Sequence, residues 1–200
     1  MAMHAQMPSR RREIEDAASV LFRDRGYAAT SIRDIARELD IRGASLYAHV
    51  ASKEDVLWAI VDRTASRFER AADDAIADRS RAPDPIGRMT ALVRGHVRVI
   101  TEDVGAASVF ISEWRSLGEM RRAAVLVRRD AYETQLRDVI ADGVASGDFT
   151  MTDAAMTASY LLTALNGIAT WYRPDGRLGA DRIADHYVDL SLRTLTEDHR

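Results

Sequence analysis

The sequence predicts an all-α protein. Along almost the whole chain the apolar residues recur every three or four positions, which places them on one face of a helix, and not at every second position as in a strand. Alanine, arginine, leucine and glutamate are prominent, and all four favour helices. Because 46% of the residues are hydrophobic, the expected helices can bury a substantial core.

Four helices are expected in the first 77 residues. Gly26 ends the first of them as a C-terminal cap. Ser31 and Asp34 form the pattern of a capping box at the start of the second helix, and Ser52 opens the fourth. The expected bounds are about 9–25, 30 or 31 to 39, 43–49 and 52–77.

Two closely spaced prolines mark the clearest break in the chain. Pro83 and Pro85 lie in the segment 79–85, and a proline does not fit a helix interior. Asp84 then caps the next helix, with Pro85 at its first position. Further helices are expected at about 86–102, 105–117, 119–145, 152–172 and 180–196.

Composition and charge exclude several kinds of site. The chain has no cysteine, so disulfides, thiolate nucleophiles and cysteine zinc sites are excluded. The net charge is −3, and residues 1–55 contain nine basic and nine acidic side chains, so any contact with nucleic acid must be local. No apolar run approaches the roughly 18 residues of a membrane span, and no signal-peptide pattern follows the basic N-terminus. We expect a cytoplasmic protein without a cofactor or a metal.

The segment 31–50 has the pattern of a helix-turn-helix. Its apolar residues converge on one small core, and Ala36 lies where the two helices cross, so a larger side chain would force them apart. Asp40 and Ile41 form the turn, because aspartate tolerates the left-handed conformation. The apolar positions of the motif are Ile32, Ile35, Leu39, Ile41, Leu46 and Val50.

The outer face of the third helix carries side chains that suit DNA. The N-terminal end of such a helix enters the major groove, and hydroxyls and rings reach phosphates. Lys53, the only lysine of the chain, lies in the first turn of the fourth helix, where its ammonium and free N–H groups would hold a phosphate. For Tyr47 and His49, packing against neighbouring helices is the alternative to a contact with DNA. The expected DNA-binding residues are Thr30, Ser31, Arg33, Arg42, Gly43, Ala44, Ser45, Tyr47, His49 and Lys53.

The region 22–57 resembles the TetR family of transcriptional regulators. Gly26-Tyr27 precedes the helix pair, Ser45-Leu46-Tyr47 lies within it, and Ser52-Lys53-Glu54 follows it. The resemblance covers about the first quarter of the chain. Agreement of several positions at fixed offsets is more specific than a generic two-helix pattern.

Two departures from the family pattern bear on the DNA sequence that is preferred. Asp40 stands where glycine is common, and Arg42-Gly43-Ala44 replaces a more usual run of small polar residues and lysine. The resemblance implies a DNA-binding domain at 1–55, with its motif at 31–50, and a helical domain for ligand binding and dimerisation at 56–200. Dimerisation is expected through the last two helices. The apolar stripe 183–195 is wide enough for more than one packing partner, with an ordinary core helix as the alternative.

The resemblance also implies an effector pocket among the middle helices. Aromatic and polarizable side chains suit a mostly apolar pocket, although a role in the core explains each of them equally well. The run 171–178 resembles the end of family members that respond to acyl-CoA thioesters or related lipid and steroid catabolites. Five arginines suit either the phosphates of coenzyme A or surface ion pairs: Arg115, Arg121, Arg122, Arg128 and Arg129. The expected lining residues are Trp58, Phe68, Met89, Phe110, Trp114, Tyr132, Tyr160, Asn166 and Trp171.

The function implied is that of a ligand-responsive regulator, and most simply a repressor. Its homodimer would place two recognition helices one DNA turn apart, about 34–36 Å, on a near-palindromic operator. A small-molecule effector would release the DNA. Four alternatives stay open: an activator, a regulator of an efflux or detoxification gene with another hydrophobic effector, an enzyme, and a sequestering or protein-binding module without DNA contact. No nucleophile, base and orienting group come together in the sequence, which disfavours the enzyme.

Overall fold

The computed structural model describes residues 10–77, 84–150 and 153–196, and the prediction of an all-α fold is confirmed. Those three ranges contain helices and no strand. A 3₁₀ turn at Trp114–Ser116 separates the sixth and seventh α-helices. The α-helices are α1 Arg10–Arg25, α2 Ile32–Glu38, α3 Gly43–Tyr47, α4 Lys53–Ala77, α5 Pro85–Glu102, α6 Val104–Ser112, α7 Glu119–Ser146, α8 Ala154–Trp171 and α9 Ala180–Thr196.

The predicted helix ends agree with the observed ones where capping side chains mark them. Ser31 and Asp34 form both hydrogen bonds of the capping box at the start of α2. Asp84 caps α5, with Pro85 at its first position. Three predicted features, the helix ends at Ser9 and Thr152 and the break at 79–83, lie outside the described residues.

One predicted helix is wrong in its second half. The helix expected over 105–117 ends at Ser112, and the chain then makes the 3₁₀ turn. The reason is packing, because the turn allows both Trp114 and Leu117 to be buried. The third helix is also shorter than expected, since it ends at Tyr47 rather than at His49.

Helices α1, α2 and α3 form a small bundle, called here the head. Phe22, Ile35 and Leu46, one from each helix, are fully buried in its core. Full burial of such a side chain contributes about 1.5–3 kcal/mol. Ala36 is also buried, in agreement with its predicted place at the crossing of α2 and α3.

Helices α4–α9 form the larger part of the protein, called here the body. Helix α5 packs against α4, α7 and α9, and α7 packs against α8. The head is attached to the body twice, because α1 contacts both α4 and α6. No helix in the described ranges is both long and apolar enough to cross a membrane. The predicted domain boundary at residue 55 falls inside α4 and stays a prediction.

The turn between α2 and α3 depends on a left-handed residue. Asp40 has φ +51°, the only positive φ of a non-glycine residue in the described part of the chain. Its N–H bonds to the carbonyl of Arg37, and the N–H of Ile41 bonds to the carbonyl of Ala36. These two bonds form a Schellman motif, which ends α2 and turns the chain toward α3.

We expect substitutions of Asp40 to change stability according to backbone strain. Asp40→Val should lower the free energy of unfolding by about 1–2 kcal/mol, because a β-branched residue is disfavoured at positive φ. Asp40→Gly, the matched control, should leave it unchanged or raise it slightly, because glycine adopts this conformation freely. Chemical denaturation of the two variants measures the difference. Equal stability of both variants would contradict the interpretation that the positive φ of residue 40 limits which side chains are tolerated there.

Candidate DNA-reading surface and effector cavity

Helix α3 presents one buried side and one open side. Leu46 is fully buried and anchors the helix in the head. Tyr47 is 59% exposed, and Ser45 and His49 are exposed as well. The alternative in which Tyr47 and His49 pack on neighbouring helices therefore does not hold in this structure, and both side chains are available to a ligand outside the head.

The start of α3 is open in a way that suits close approach of DNA. A Cβ atom on Gly43 would have no atom of the protein within 4 Å, so the fold itself does not require a glycine here. Ala44 is exposed beside it. Small side chains at these two positions leave room for a nucleic-acid backbone or a base edge.

Two arginines next to α3 are free to bind an external anion. Arg33 and Arg42 are exposed, and neither forms an ion pair or a side-chain hydrogen bond with another described residue. Both border a concavity between α2 and α3. Arg37 borders it too, but this side chain pairs with Asp34 at 3.0 Å. A local positive charge therefore exists in a head whose total charge is close to neutral.

Two of the predicted DNA-binding residues have structural roles instead. The Thr30 side chain is 2% exposed, and its hydroxyl donates to the carbonyl of Gly26 at 2.9 Å. The expectation that Thr30 faces DNA is therefore corrected. Ser31 is exposed, but its hydroxyl is 2.6 Å from a carboxylate oxygen of Asp34 in the cap of α2.

Lys53 binds the protein rather than projecting toward a phosphate. Its Nζ donates to the carbonyl oxygens of Tyr27 and Thr30, each at 2.8 Å, and lies 4.1 Å from the centre of the Tyr27 ring. Position alone did not reveal these contacts, because they depend on the loop 26–31 folding back over the first turn of α4; the phosphate contact of Lys53 stays a prediction. Lys53 thus holds the loop between α1 and α2 against α4.

The next two residues of α4 join the start of this helix to the start of α7. Arg121, in the first turn of α7, contacts Glu54 at 3.2 Å and Asp55 at 2.5 Å. The hydrogen bonds from Arg121 and Ser52 lower the pKa of the Asp55 carboxyl below its ordinary value. The main-chain N–H of Gly118 also donates to Glu54. The start of α4 therefore has fixed partners on α7.

A cavity of about 290 Å³ lies in the body between α4, α5, α6, α7 and α8. Five predicted residues line it: Phe68, Phe110, Trp114, Tyr132 and Asn166. The centre of the Phe68 ring lies 5.4 Å from that of the Phe110 ring. The cavity therefore has an aromatic wall.

The other four residues predicted to line the pocket lie elsewhere. Met89 is fully buried in the core, and Trp58 lies below the guanidinium of Arg121. Tyr160 and Trp171 are 59% and 45% exposed on the outside of α8. An aromatic residue in a helical sequence indicates burial or contact, but it does not tell on which side of the helix the contact lies.

His96 belongs to the cavity and was missed as a lining residue. It is 3% exposed, and its Nδ1 lies 2.9 Å from the hydroxyl oxygen of Tyr132. Burial lowers the pKa of His96 to about 3, although the amide of Asn166 opposes this shift, so the ring is neutral near pH 7. The sequence contained a signal for this burial, because His96 lies at helical spacing from Leu92 and Ile100.

The five arginines considered for coenzyme A fall into different groups. Arg121 and Arg128 are both occupied by carboxylates, the latter by Asp62 and Glu69 of α4. Arg122 is exposed and does not line the cavity. Arg115 and Arg129 line it without an ion pair to any described residue, and both guanidinium groups lie near the Trp114 ring, at 4.6 and 5.4 Å from its centre.

Comparison with known proteins accounts for both parts of the molecule. Residues 14–60 match the model of bacterial regulatory proteins of the tetR family, and residues 82–195 match that of the tetracyclin repressor-like C-terminal domain. The chain belongs to the TetR family. As a member of this family it is a transcription regulator with an N-terminal helix-turn-helix and a helical C-terminal domain, which confirms the resemblance noted in the sequence.

The similarity to relatives within the TetR family extends over nearly the full chain. The HTH-type transcriptional repressor KstR2 of Mycolicibacterium smegmatis is 27% identical over 199 residues, covering 96% of this chain and 94% of the relative. The structure of the ketosteroid transcriptional regulator KstR2 of Mycobacterium tuberculosis has a TM-score of 0.89 at 25% identity, covering 96% of this chain and 98% of that one. AibR in complex with isovaleryl coenzyme A and operator DNA has a TM-score of 0.78 at 28% identity, with 91% and 97% covered.

We expect Lys53→Met to lower stability and DNA affinity together. The substitution removes two hydrogen bonds from a charged donor, which should lower the free energy of unfolding by about 1–3 kcal/mol. Loosening of the loop before α2 should then weaken binding to all DNA sequences. Thermal melting and gel shifts of the same preparations measure the two effects. Weaker DNA binding at an unchanged melting temperature would show instead that Lys53 contacts a phosphate.

Proposed function

We propose that this protein is a ligand-responsive transcriptional repressor that binds a palindromic operator as a homodimer. A small molecule in the cavity of the body releases it from DNA. The observation that carries the proposal is the open face of α3, where Ser45, Tyr47 and His49 are exposed while Leu46 is buried. An exposed row of polar side chains on a firmly anchored short helix is what readout in a major groove requires.

The DNA-binding residues follow from exposure and free hydrogen-bonding groups. Arg42 and Arg33 supply cations without partners in the described part of the head. Arginine at this place suits either a guanine edge or a phosphate. Ser45, Tyr47 and His49 supply hydroxyls and a ring, and Gly43 and Ala44 permit close approach. Ser31 caps α2 and Lys53 holds the loop before it, so both residues position the elements that bind DNA. Ser31 is also exposed and can contact a phosphate itself.

Dimerisation through α8 and α9 is supported by exposed apolar side chains. Met156, Tyr160 and Trp171 of α8 and Leu190 of α9 are each between 45% and 71% exposed. Contiguous apolar surface of this kind usually marks an interaction site in a protein that is otherwise soluble. Only part of the predicted apolar stripe on α9 is available to a partner, because Ile183 and Leu195 are buried in the core of their own chain.

The effector belongs to the cavity, and the relatives indicate its class. The similar structures include a ketosteroid transcriptional regulator and a regulator in complex with isovaleryl coenzyme A. We therefore infer an acyl-CoA thioester or a related lipid or steroid catabolite. Another hydrophobic small molecule, with control of an efflux or detoxification gene, is the alternative. Repression rather than activation is inferred because the curated relative is a repressor.

We propose that a shift of α4 carries the effect of ligand binding to the head and so releases DNA. This helix begins in contact with the head at Lys53 and lines the cavity at Ala65 and Phe68. An effector that binds more tightly to a conformation with shifted α4 helices shifts the population toward it. The two copies of α3 then no longer match the spacing of the half-sites. In this view residues 1–55 read DNA and residues 56–200 bind ligand and partner.

We expect Arg42→Ala to weaken operator binding by about tenfold or more and to relax base preference, because a bidentate arginine contact contributes about 1–3 kcal/mol. Arg122→Ala, which removes the same charge from an exposed site on α7, is the control and should bind as wild type. Gel shifts at several salt concentrations measure both, and binding should fall steeply with salt. Absence of operator binding by wild type would favour a sequestering or protein-binding module.

We expect Tyr160→Asp to convert the dimer to a monomer. A carboxylate placed on the apolar face of α8 is costly to bury in an interface. Operator affinity should fall at least about tenfold, because the two half-sites are then bound independently. Val127→Asp, on the exposed side of α7, is the control. Light scattering coupled to size exclusion measures the state, and a dimeric Tyr160→Asp with wild-type affinity would contradict this interface.

A further inference from the structure

Two buried polar atoms of the cavity have no hydrogen-bond partner. The Nε2 atom of His96 and the Nε1 atom of Trp114 are both buried, and neither bonds to any residue that the structure describes. Both residues line the cavity. A buried donor or acceptor left unpaired is unfavourable, so these atoms need either water or a ligand atom as a partner.

Two cations at the Trp114 end of the cavity also lack an ion-pair partner among the described residues. Arg115 and Arg129 both lie close to the Trp114 ring, and neither forms an ion pair with a described carboxylate. Burial, and then the charge of Arg115, lower the pKa of the Arg129 guanidinium. Two cations near one indole are favourable only if an anion separates them or water screens them.

The acidic residues of the cavity wall do not form ion pairs with Arg115 or Arg129. Arg128 is already neutralised by Glu69 and Asp62. Asp130 and Glu133 line the cavity and favour the charged form of Arg129, but neither lies within ion-pair distance of it. The positive corner formed by Arg115 and Arg129 is therefore open to an external anion.

The two ends of the cavity differ in polarity and in access. Arg115 is exposed, whereas His96 is buried, so the cationic end is the one nearer to solvent. The His96 ring is neutral and is polarised by the Tyr132 hydroxyl. The centre of the Phe68 ring lies 4.7 Å from that of the His96 ring and 5.4 Å from that of the Phe110 ring. The Arg129 guanidinium lies over the Phe110 ring. Phe68 and Phe110 thus lie beside both the cationic corner and His96, a ring that the Asn166 amide also approaches and whose pKa the charge of Arg129 also lowers.

We propose that the effector is an oxygenated organic anion held at both ends of this cavity. Its acid group binds Arg115, Arg129 and the Trp114 Nε1–H, and an uncharged hydroxyl or carbonyl oxygen at its far end pairs with His96 Nε2. Its apolar middle packs on Phe68 and Phe110. The inference rests on the proposed function, because it assumes that this cavity is the effector site. The acid group is a carboxylate of a free acid or a phosphate of a thioester.

A set of matched probes tests the two ends separately. The reference is para-hydroxyphenylpentanoate, which has an acid, an apolar linker and a distant hydroxyl. Phenylpentanoate lacks the hydroxyl, and the methyl ester of the reference lacks the charge. Calorimetric titration of the full-length protein should show the reference binding about tenfold more tightly than either analogue, because a hydrogen bond is lost in one and a charged contact in the other. The coenzyme A thioester of the reference separates a carboxylate from a phosphate as the source of charge.

Substitutions in the cavity assign each preference to its residue. Arg129→Gln should abolish the preference for the acid over the ester and retain that for the hydroxyl. His96→Phe should do the reverse, and Trp114→Phe should reduce acid binding by a few fold while keeping an aromatic ring. Arg122→Gln is the control for loss of one positive charge on α7 and should change neither preference. Because His96→Phe risks misfolding, circular dichroism and the retained acid preference serve as its internal checks.

Several outcomes would overturn this inference. They are the absence of any binding of the reference probe or its thioester at millimolar concentration, equal binding of acid and ester by wild type, and equal effects of Arg129→Gln and Arg122→Gln. Operator binding by the ligand-free protein is measured in parallel. If it persists while the probe preferences are absent, the inference fails and the proposed function stands. If operator binding itself is absent, the proposed function fails.

Discussion

One uninterrupted helix, α4, is the constraint on which the rest of the molecule depends. Its first turn binds the loop before α2 through Lys53, and four turns later it lines the cavity through Phe68. A helix rises about 1.5 Å per residue, so these two places are roughly 22 Å apart along a stiff rod. No loop intervenes to absorb a displacement. In the proposed mechanism, a displacement of α4 at the cavity would therefore be transmitted along this helix to the head.

Most of the ion pairs close to this helix tie other elements to it. Arg63 of α4 contacts Glu15 of α1, Arg67 reaches Glu102 at the end of α5, and Glu69 holds Arg128 of α7. Such pairs neutralise many of the arginines of the chain, which are then not available to bind DNA or a ligand. Arginines that lie at a functional surface without a partner are consequently more informative than the overall count, both at the head and in the cavity.

The sequence was sufficient for features that depend on near neighbours and insufficient for those that depend on tertiary contacts. The capping box of Ser31 and the left-handed Asp40 follow from local chemistry, so both were predictable, as was the helix-turn-helix that they delimit. The orientation of Lys53 depends on where a loop 23 residues earlier returns, which spacing does not encode. The cavity was only half predicted, because helical periodicity identifies buried residues but does not tell which buried residues face a void. His96 shows this difference, since its spacing from Leu92 and Ile100 is compatible with burial, whereas its unpaired nitrogen and its place in the cavity follow only from tertiary contacts.

The contacts that hold α4 in place differ in strength, and this difference is suited to a switch. The core of the head and the aromatic side chains of the cavity, Phe68, Phe110 and Trp114, are buried, and such side chains resist displacement because vacated space is not refilled. By contrast, the pairs of Arg121 with Glu54 and Asp55 are partly exposed, and such pairs contribute little individually. A shift of α4 relative to α7 can therefore break and remake these pairs while both cores stay intact. Because α7 also carries Arg128 and Arg129 on the cavity wall, the proposed effector would contact the same helix that holds the start of α4.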